Sequence, residues 1–171
     1  MNGASLYQHD LAHMPLIDHV PVTEEAVSYL VHHMREEDWA EIFALRWDDD
    51  ADALAEDIMH YAGDMTRVWR VDGQPATILG AHPIRPNVWR CWGFGTEQWP
   101  LAVVSMTRHA RRFIVPALLR GGVHRIEACA AASHVSARKW LESCGGVLEG
   151  THYRMGRGGE DYVTYVYQAE D

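Results

Sequence analysis

The stretch from Asn87 to Ala131 constrains the fold most. NVWRCWGFG (87–95) is an aromatic-rich run with strand character, and VHRIEACAA (123–131) alternates apolar Ile126, Ala128 and Ala130 with Glu127 and Cys129. Between them Pro100 opens a long helix at its first turn, and Gly121-Gly122 ends it. A strand, a helix and a strand of these lengths require a right-handed parallel crossover. The chain is therefore built around one parallel strand pair in an α/β sheet.

The segments on either side fill in that sheet. VPVT (20–23) reads as a short strand, and residues 1–19 as an N-terminal arm preceding a single domain over 20–171. Thr23 precedes Glu24-Glu25 as a helix cap, with Val27, Leu30, Val31 and Met34 on one face. EEDWAEIFALRW is a second helix, and DADALAEDIMHYAGD a third with Leu54, Ile58 and Tyr61 inward. After Asp64 the apolar period changes from 3.6 to 2, and Asp72-Gly73 turns a β-hairpin. In the long helix Met106, Ala110, Phe113, Ala117 and Leu118 form the inner face, and Pro116 should kink it by crowding the Arg112 carbonyl. GVLEGTHYRM and DYVTYVYQ close the chain as two strands around GRGGE. The expectation is a mixed, mostly antiparallel sheet with helices on both faces.

Composition excludes several function classes. A formal charge of −9 argues against general nucleic-acid binding. The longest apolar runs are too short to span a membrane, and the N-terminus lacks a signal-peptide pattern. Cys91, Cys129 and Cys144 have no CxxC spacing, which fits a reducing cytoplasm. Asp48, Asp50 and Asp52 open like a calcium loop but meet Ala53 and Met59 where glycine and glutamate are needed. Eleven histidines form no ligand constellation, so no metal is expected.

SHVSARKWLESCGGVLEG (133–150) carries the resemblance to a known family. Ser133 reads as the helix cap, Ala137, Trp140, Leu141 and Cys144 as one apolar face, and Gly145 as the helix stop. His134-x-x-Ala137, then Gly145-Gly146 and Glu149-Gly150, resembles the last strand–helix–strand segment of the GNAT acetyltransferase superfamily. HHMREEDWAEIFAL, FGTEQWP and YRMGRGGEDYVTYVY are similar to phage-encoded GNAT-like proteins, a group that includes internal virion proteins of short-tailed phages.

The resemblance implies a GNAT-like fold with a splay between the two central parallel strands. It implies acetyl-CoA in that splay, against Trp92, Gly93, Phe94, Gly95 and Thr96 on one side and Ala130, Ala131, His134 and Ala137 on the other. His134 and Glu97 are then candidate acid–base residues, with Glu127 a further base, and Tyr153 and Tyr162 could line an acceptor pocket. Two features depart from the family pattern. The phosphate loop reads Gly95-Thr96-Glu97-Gln98-Trp99-Pro100, with a carboxylate and bulk where glycines belong. Leu141 stands where many members place a proton-donating tyrosine.

Two functions stay open. One is an acetyl-CoA-dependent N-acetyltransferase acting on an amine. The other is a catalytically eroded domain with structural or protein-binding work in a phage particle, reached through the host cytoplasm, where Trp89, Trp92 and Trp99 fill the cofactor cleft or form a contact surface.

Overall fold

The computed structural model describes residues 14–168. Its strands are β1 (Ile17–Pro21), β2 (Arg67–Val71), β3 (Gln74–Arg85), β4 (Val88–Gly95), β5 (Arg125–Ala131), β6 (Val147–His152) and β7 (Tyr162–Tyr167). They form one seven-stranded sheet in the order β1-β2-β3-β4-β5-β7-β6. Every neighbouring pair is antiparallel except β4–β5. That exception is the crossover required by the 87–131 stretch.

Strand alternation sends successive side chains to opposite faces. Val68, Ile78 and Phe94 face α1 (Glu24–His32), α2 (Glu36–Phe43) and α3 (Ala51–Tyr61), where Val27, Leu30, Phe43 and Leu54 complete one core. Trp69, Leu79, Ile126 and Ala128 face α4 (Trp99–His109), α5 (Val115–Arg120) and α6 (Val135–Ser143) and form the other. Thr23 caps α1 by accepting the Ala26 N–H at 3.2 Å. Gly145 ends α6 at φ +96°, a conformation only glycine adopts cheaply.

Four details differ from the sequence reading. β1 begins at Ile17, so the end of the expected arm belongs to the sheet, held by the Asp18–Arg70 ion pair; residues 1–13 lie outside the described residues. Tyr61 is not inward: it is 53% exposed and stacks on His82 at the sheet rim. Ser133 does not cap α6; His134 occupies the cap position without a side-chain cap bond, because its ring is drawn inward by carboxylates.

The fourth concerns the long helix. It opens into a π turn at Ala110–Ile114, where the Val115 N–H reaches the Ala110 carbonyl. The wider turn gives the Pro116 ring room beside the Arg112 carbonyl. It also shifts the helix phase, so Ile114 is buried at 3% while Phe113 is 60% exposed. Ile114→Ala should therefore cost about 2–5 kcal/mol and Phe113→Ala less than about 0.5 kcal/mol in urea unfolding. Equal losses would contradict the phase shift.

Candidate functional site

β4 and β5 pair only through Val88–Arg125, Trp89–Ile126 and Arg90–Glu127. Beyond that register the strands part. Backbone groups facing a gap between strands must find partners elsewhere. At the wide end those partners come from α2 and the residue before it. The Arg35 N–H donates to the Gly95 carbonyl at 2.9 Å, and the Gly95 N–H donates to Asp38 Oδ2 at 2.8 Å. Opposite, the Ala131 N–H donates to Glu41 Oε2 at 2.7 Å. One helix thus bridges the two strand ends.

The bridging side chains form a buried ionic cluster. Arg35 Nη2 contacts both Asp38 oxygens at 2.8 Å, and its guanidinium lies 4.5 Å from the Trp99 ring centre. His134 Nδ1 is 3.0 Å from Glu41 Oε2, while its Nε2 sits 3.8 Å from Asp38 Oδ1 with no hydrogen-bond partner among the described residues. The side chains of Asp38 and His134 are 5% and 4% exposed. The buried Tyr162 hydroxyl donates to the Glu41 carbonyl and fixes the far end of α2. Burial pushes the Asp38 carboxyl up despite the pull of Arg35. The Glu41 hydrogen bond raises His134 against its burial.

The residues named from sequence do gather around this splay, but they face different ways. Gly93, Ala130 and Ala137 line a cavity of only about 50 Å³ on the α4–α6 side of the gap. Trp99 and Trp140 fill the rest of that side, edge to face at 5.3 Å. The Trp92 ring turns to the other face of the sheet, lies against Gly80 and donates to His82 Nδ1 at 3.0 Å. Phe94 is in the α1–α3 core, and Ala131 packs with Ala44 and Tyr162.

The remaining candidates are engaged or remote from a reacting centre. Glu97 is exposed, with no ion pair among the described residues. Although partly buried, Glu127 is held below the ordinary carboxyl range by Arg90 and Arg125, which bond it at 2.6 and 3.2 Å. Tyr153 is 78% exposed. Burial pushes Cys144 up to about 11 and Cys91 up to about 12, which disfavours the thiolate at both.

The α4–α6 side of the gap has no room for acetyl-CoA in this arrangement. A ligand cleft of ordinary size has roughly 300–1,000 Å³, far above the space left between the strands. A phosphate at a helix N-terminus needs unspent N–H groups. Here Thr96 N–H donates to the Ala76 carbonyl at 2.8 Å, Gln98 N–H to Thr96 Oγ1 at 3.2 Å and Trp99 N–H to the Thr96 carbonyl at 2.9 Å. Pro100 has no N–H. A Cβ on Gly95 would come within 2.7 Å of the Ala76 carbonyl and 2.9 Å of the Trp99 ring, so this glycine serves close packing.

A larger cleft of about 610 Å³ opens on the other face, between α2, α3 and strands β4, β5 and β7, with Ile42, Leu45, Trp92 and Met155 among its walls. Among the described residues no group of three or more His, Cys, Asp or Glu is placed to hold a metal, and no helix is long and apolar enough to cross a membrane.

Sequence reasoning missed Arg35, Asp38 and Glu41. Acids in a first turn ordinarily serve the helix dipole. The available signal was phase: Asp38 stands one turn before Ile42 and on the same side, an acid on an apolar stripe.

The cluster should tie stability to pH. The raised value of His134 means its contribution is complete below about pH 6.5 and is lost as pH rises through the folded-state value. His82 and His109, pushed down by burial, contribute the opposite slope. The difference between wild type and His134→Gln isolates the cluster. In urea unfolding the wild-type advantage should be larger near about pH 6 than near about pH 8. A constant advantage would contradict the ionic reading.

At the level of sequence, no protein-family model and no curated protein matches this chain. Solved structures do match in fold. Ard1 from Thermoplasma volcanium superposes with a TM-score of 0.70 at 10% identity, over 91% of this chain and 99% of that one. A GNAT-family acetyltransferase from Bacillus anthracis gives 0.66 at 11% identity, over 89% and 94%. The yncA protein from Salmonella typhimurium, a putative acetyltransferase solved with acetyl-CoA, gives 0.63 at 11% identity, over 91% and 95%. With the splayed parallel pair and the order of elements, these matches establish that the chain has the GNAT fold.

Proposed function

We propose that this chain is a GNAT-fold domain whose acyl-CoA slot is closed by its own side chains, and that it acts through protein contacts rather than acetyl transfer. The observation that carries this reading is the α2 bridge. Asp38 and Glu41 hold the Gly95 and Ala131 N–H groups at the wide end of the splay. A pantetheine arm entering as a pseudo-strand competes with one buried and one partly buried carboxylate, and a charged group loses far more on desolvation without its partner than an amide does. The likeness of the sequence to phage-encoded members supports a setting in a phage particle, assembled in the host cytoplasm.

A second reading has its own support. The divergence of β4 from β5 and the 610 Å³ cleft across the sheet correspond to the two halves of an acyl-transfer site. In that reading acetyl-CoA supplies the activated acyl group, an amine acceptor occupies the cleft, and α2 must withdraw Asp38 and Glu41 first.

Calorimetric and thermal-shift titration with acetyl-CoA separates the two. A ligand at a hundred times its dissociation constant stabilises a fold by about 2.7 kcal/mol. The closed slot predicts no heat and no thermal shift at about 1 mM ligand, against CoA and ATP controls. Micromolar, CoA-selective binding overturns it and favours the transferase. The double variant Asp38→Ala/Glu41→Ala removes the bridge and should lose about 3–5 kcal/mol of stability, the usual cost of breaking a buried pair. A variant as stable as wild type would mean that the bridge holds nothing together.

A further inference from the structure

The helices on the two faces of the sheet carry opposite charge. From Glu36 to Asp57, through α2 and into α3, the sequence has ten acidic residues and one arginine. From Gln98 to His124, through α4, the π turn and α5, it has four arginines and no acidic residue. α2 and α3 pack on one side of the sheet and α4 and α5 on the other, so the fold separates these stretches.

Neither side neutralises itself. On the acidic side Arg46 pairs with Asp48 and Asp57, and Arg157 with Asp49. Glu36, Glu37 and Glu56 are left without cations among the described residues. On the basic side Arg108, Arg111 and Arg112 are exposed with no carboxylate partner among the described residues; Arg111 reaches the Ser143 carbonyl at 3.4 Å. The three arginines line an open groove of about 690 Å³ whose floor includes Val103 and Val104.

Each charged side also carries unburied apolar surface. Trp47 is fully exposed beside the acidic run. Val104 and Phe113 are 65% and 60% exposed beside the arginines. Tryptophan and arginine are, with tyrosine, the residues enriched among the anchors of protein interfaces.

We propose that the chain self-associates head to tail, the Trp47 indole and neighbouring carboxylates of one copy seating in the Val104–Arg108–Arg111–Arg112 groove of the next. Charge complementarity selects a second copy as the occupant, because the molecule carries both halves of the match on opposite sides. A contact between two different patches leaves one of each free, so it repeats into a ring or an open filament. Opposite fields steer the encounter, and salt screens them.

Sedimentation of the full chain tests this. At low salt the weight-average mass of wild type should rise over about 1–100 μM protein. It should fall to the monomer value near about 0.5 M salt, where the Debye length shrinks to a few ångströms. Trp47→Ala/Glu56→Lys and Arg111→Glu/Arg112→Glu should each remain monomeric while keeping the wild-type melting temperature, since all four positions are exposed. Mixing the two variants should restore a one-to-one pair and nothing larger, because each retains the end that the other lacks.

A monomeric wild type at every concentration overturns the proposal, as does a mixture that does not pair. Should wild type stay monomeric while an oligonucleotide or an anionic vesicle binds and Arg111→Glu/Arg112→Glu does not, the groove belongs to another anion and the proposal fails. The inference stands apart from the closed slot: sedimentation reads one and acetyl-CoA titration the other.

Discussion

The Asp38 carboxylate is the contact on which the centre of this structure depends. Two parallel strands that part after three paired positions leave backbone donors and acceptors facing a gap. Such groups cost free energy unless they are paired. Asp38 takes the Gly95 N–H, holds Arg35 for the Trp99 face and stands opposite His134. Removing that one carboxylate would strand a buried guanidinium, a strand N–H and half of an ionic cluster together. Trp99 in turn packs on Gly95 and Trp140, so the bridge and the filled gap are one arrangement.

That arrangement explains why a fold found among acetyltransferases can lack room for a coenzyme. The splay remains because the crossover and the sheet twist impose it. In this chain the gap is occupied from within. Side chains from α2 make the hydrogen bonds, and indoles from α4 and α6 supply the apolar fill. At the helix N-terminus the Thr96, Gln98 and Trp99 N–H groups turn onto Ala76 and Thr96. Fold and chemistry separate here, as they do whenever a site is grafted on a common scaffold. Meanwhile α2 and α3 carry mostly acids on one side of the sheet, and α4 to α5 carry arginines and no acids on the other.

Much of the architecture was legible because it rests on local rules. The change of period after Asp64, the Thr23 cap, the Asp72-Gly73 turn and the Gly145 stop each act through near neighbours. The Phe113–Ile114 exchange was not legible, since a π turn adds a residue to the helix without a distinctive local pattern. Glu41 and His134 show the harder limit. An acid in the second turn of a short helix and a histidine at a helix cap are ordinarily solvated, and here His134 is buried against Glu41 from a position 93 residues away. Only tertiary packing decides which fate an ionisable side chain meets. The tryptophans gave partial warning: Trp99 fills the cleft as one of the two expectations had it, whereas Trp92 belongs to the opposite face.

Amide hydrogen exchange at Gly95 and Ala131, resolved residue by residue, tests the central claim most directly. Amides buried under a closed bridge exchange only through large openings, with protection approaching that of the sheet core. The account predicts such protection at both positions, unchanged when acetyl-CoA is added. Rapid exchange at both amides, or protection that appears only with acetyl-CoA, would mean that the slot stands open for the coenzyme.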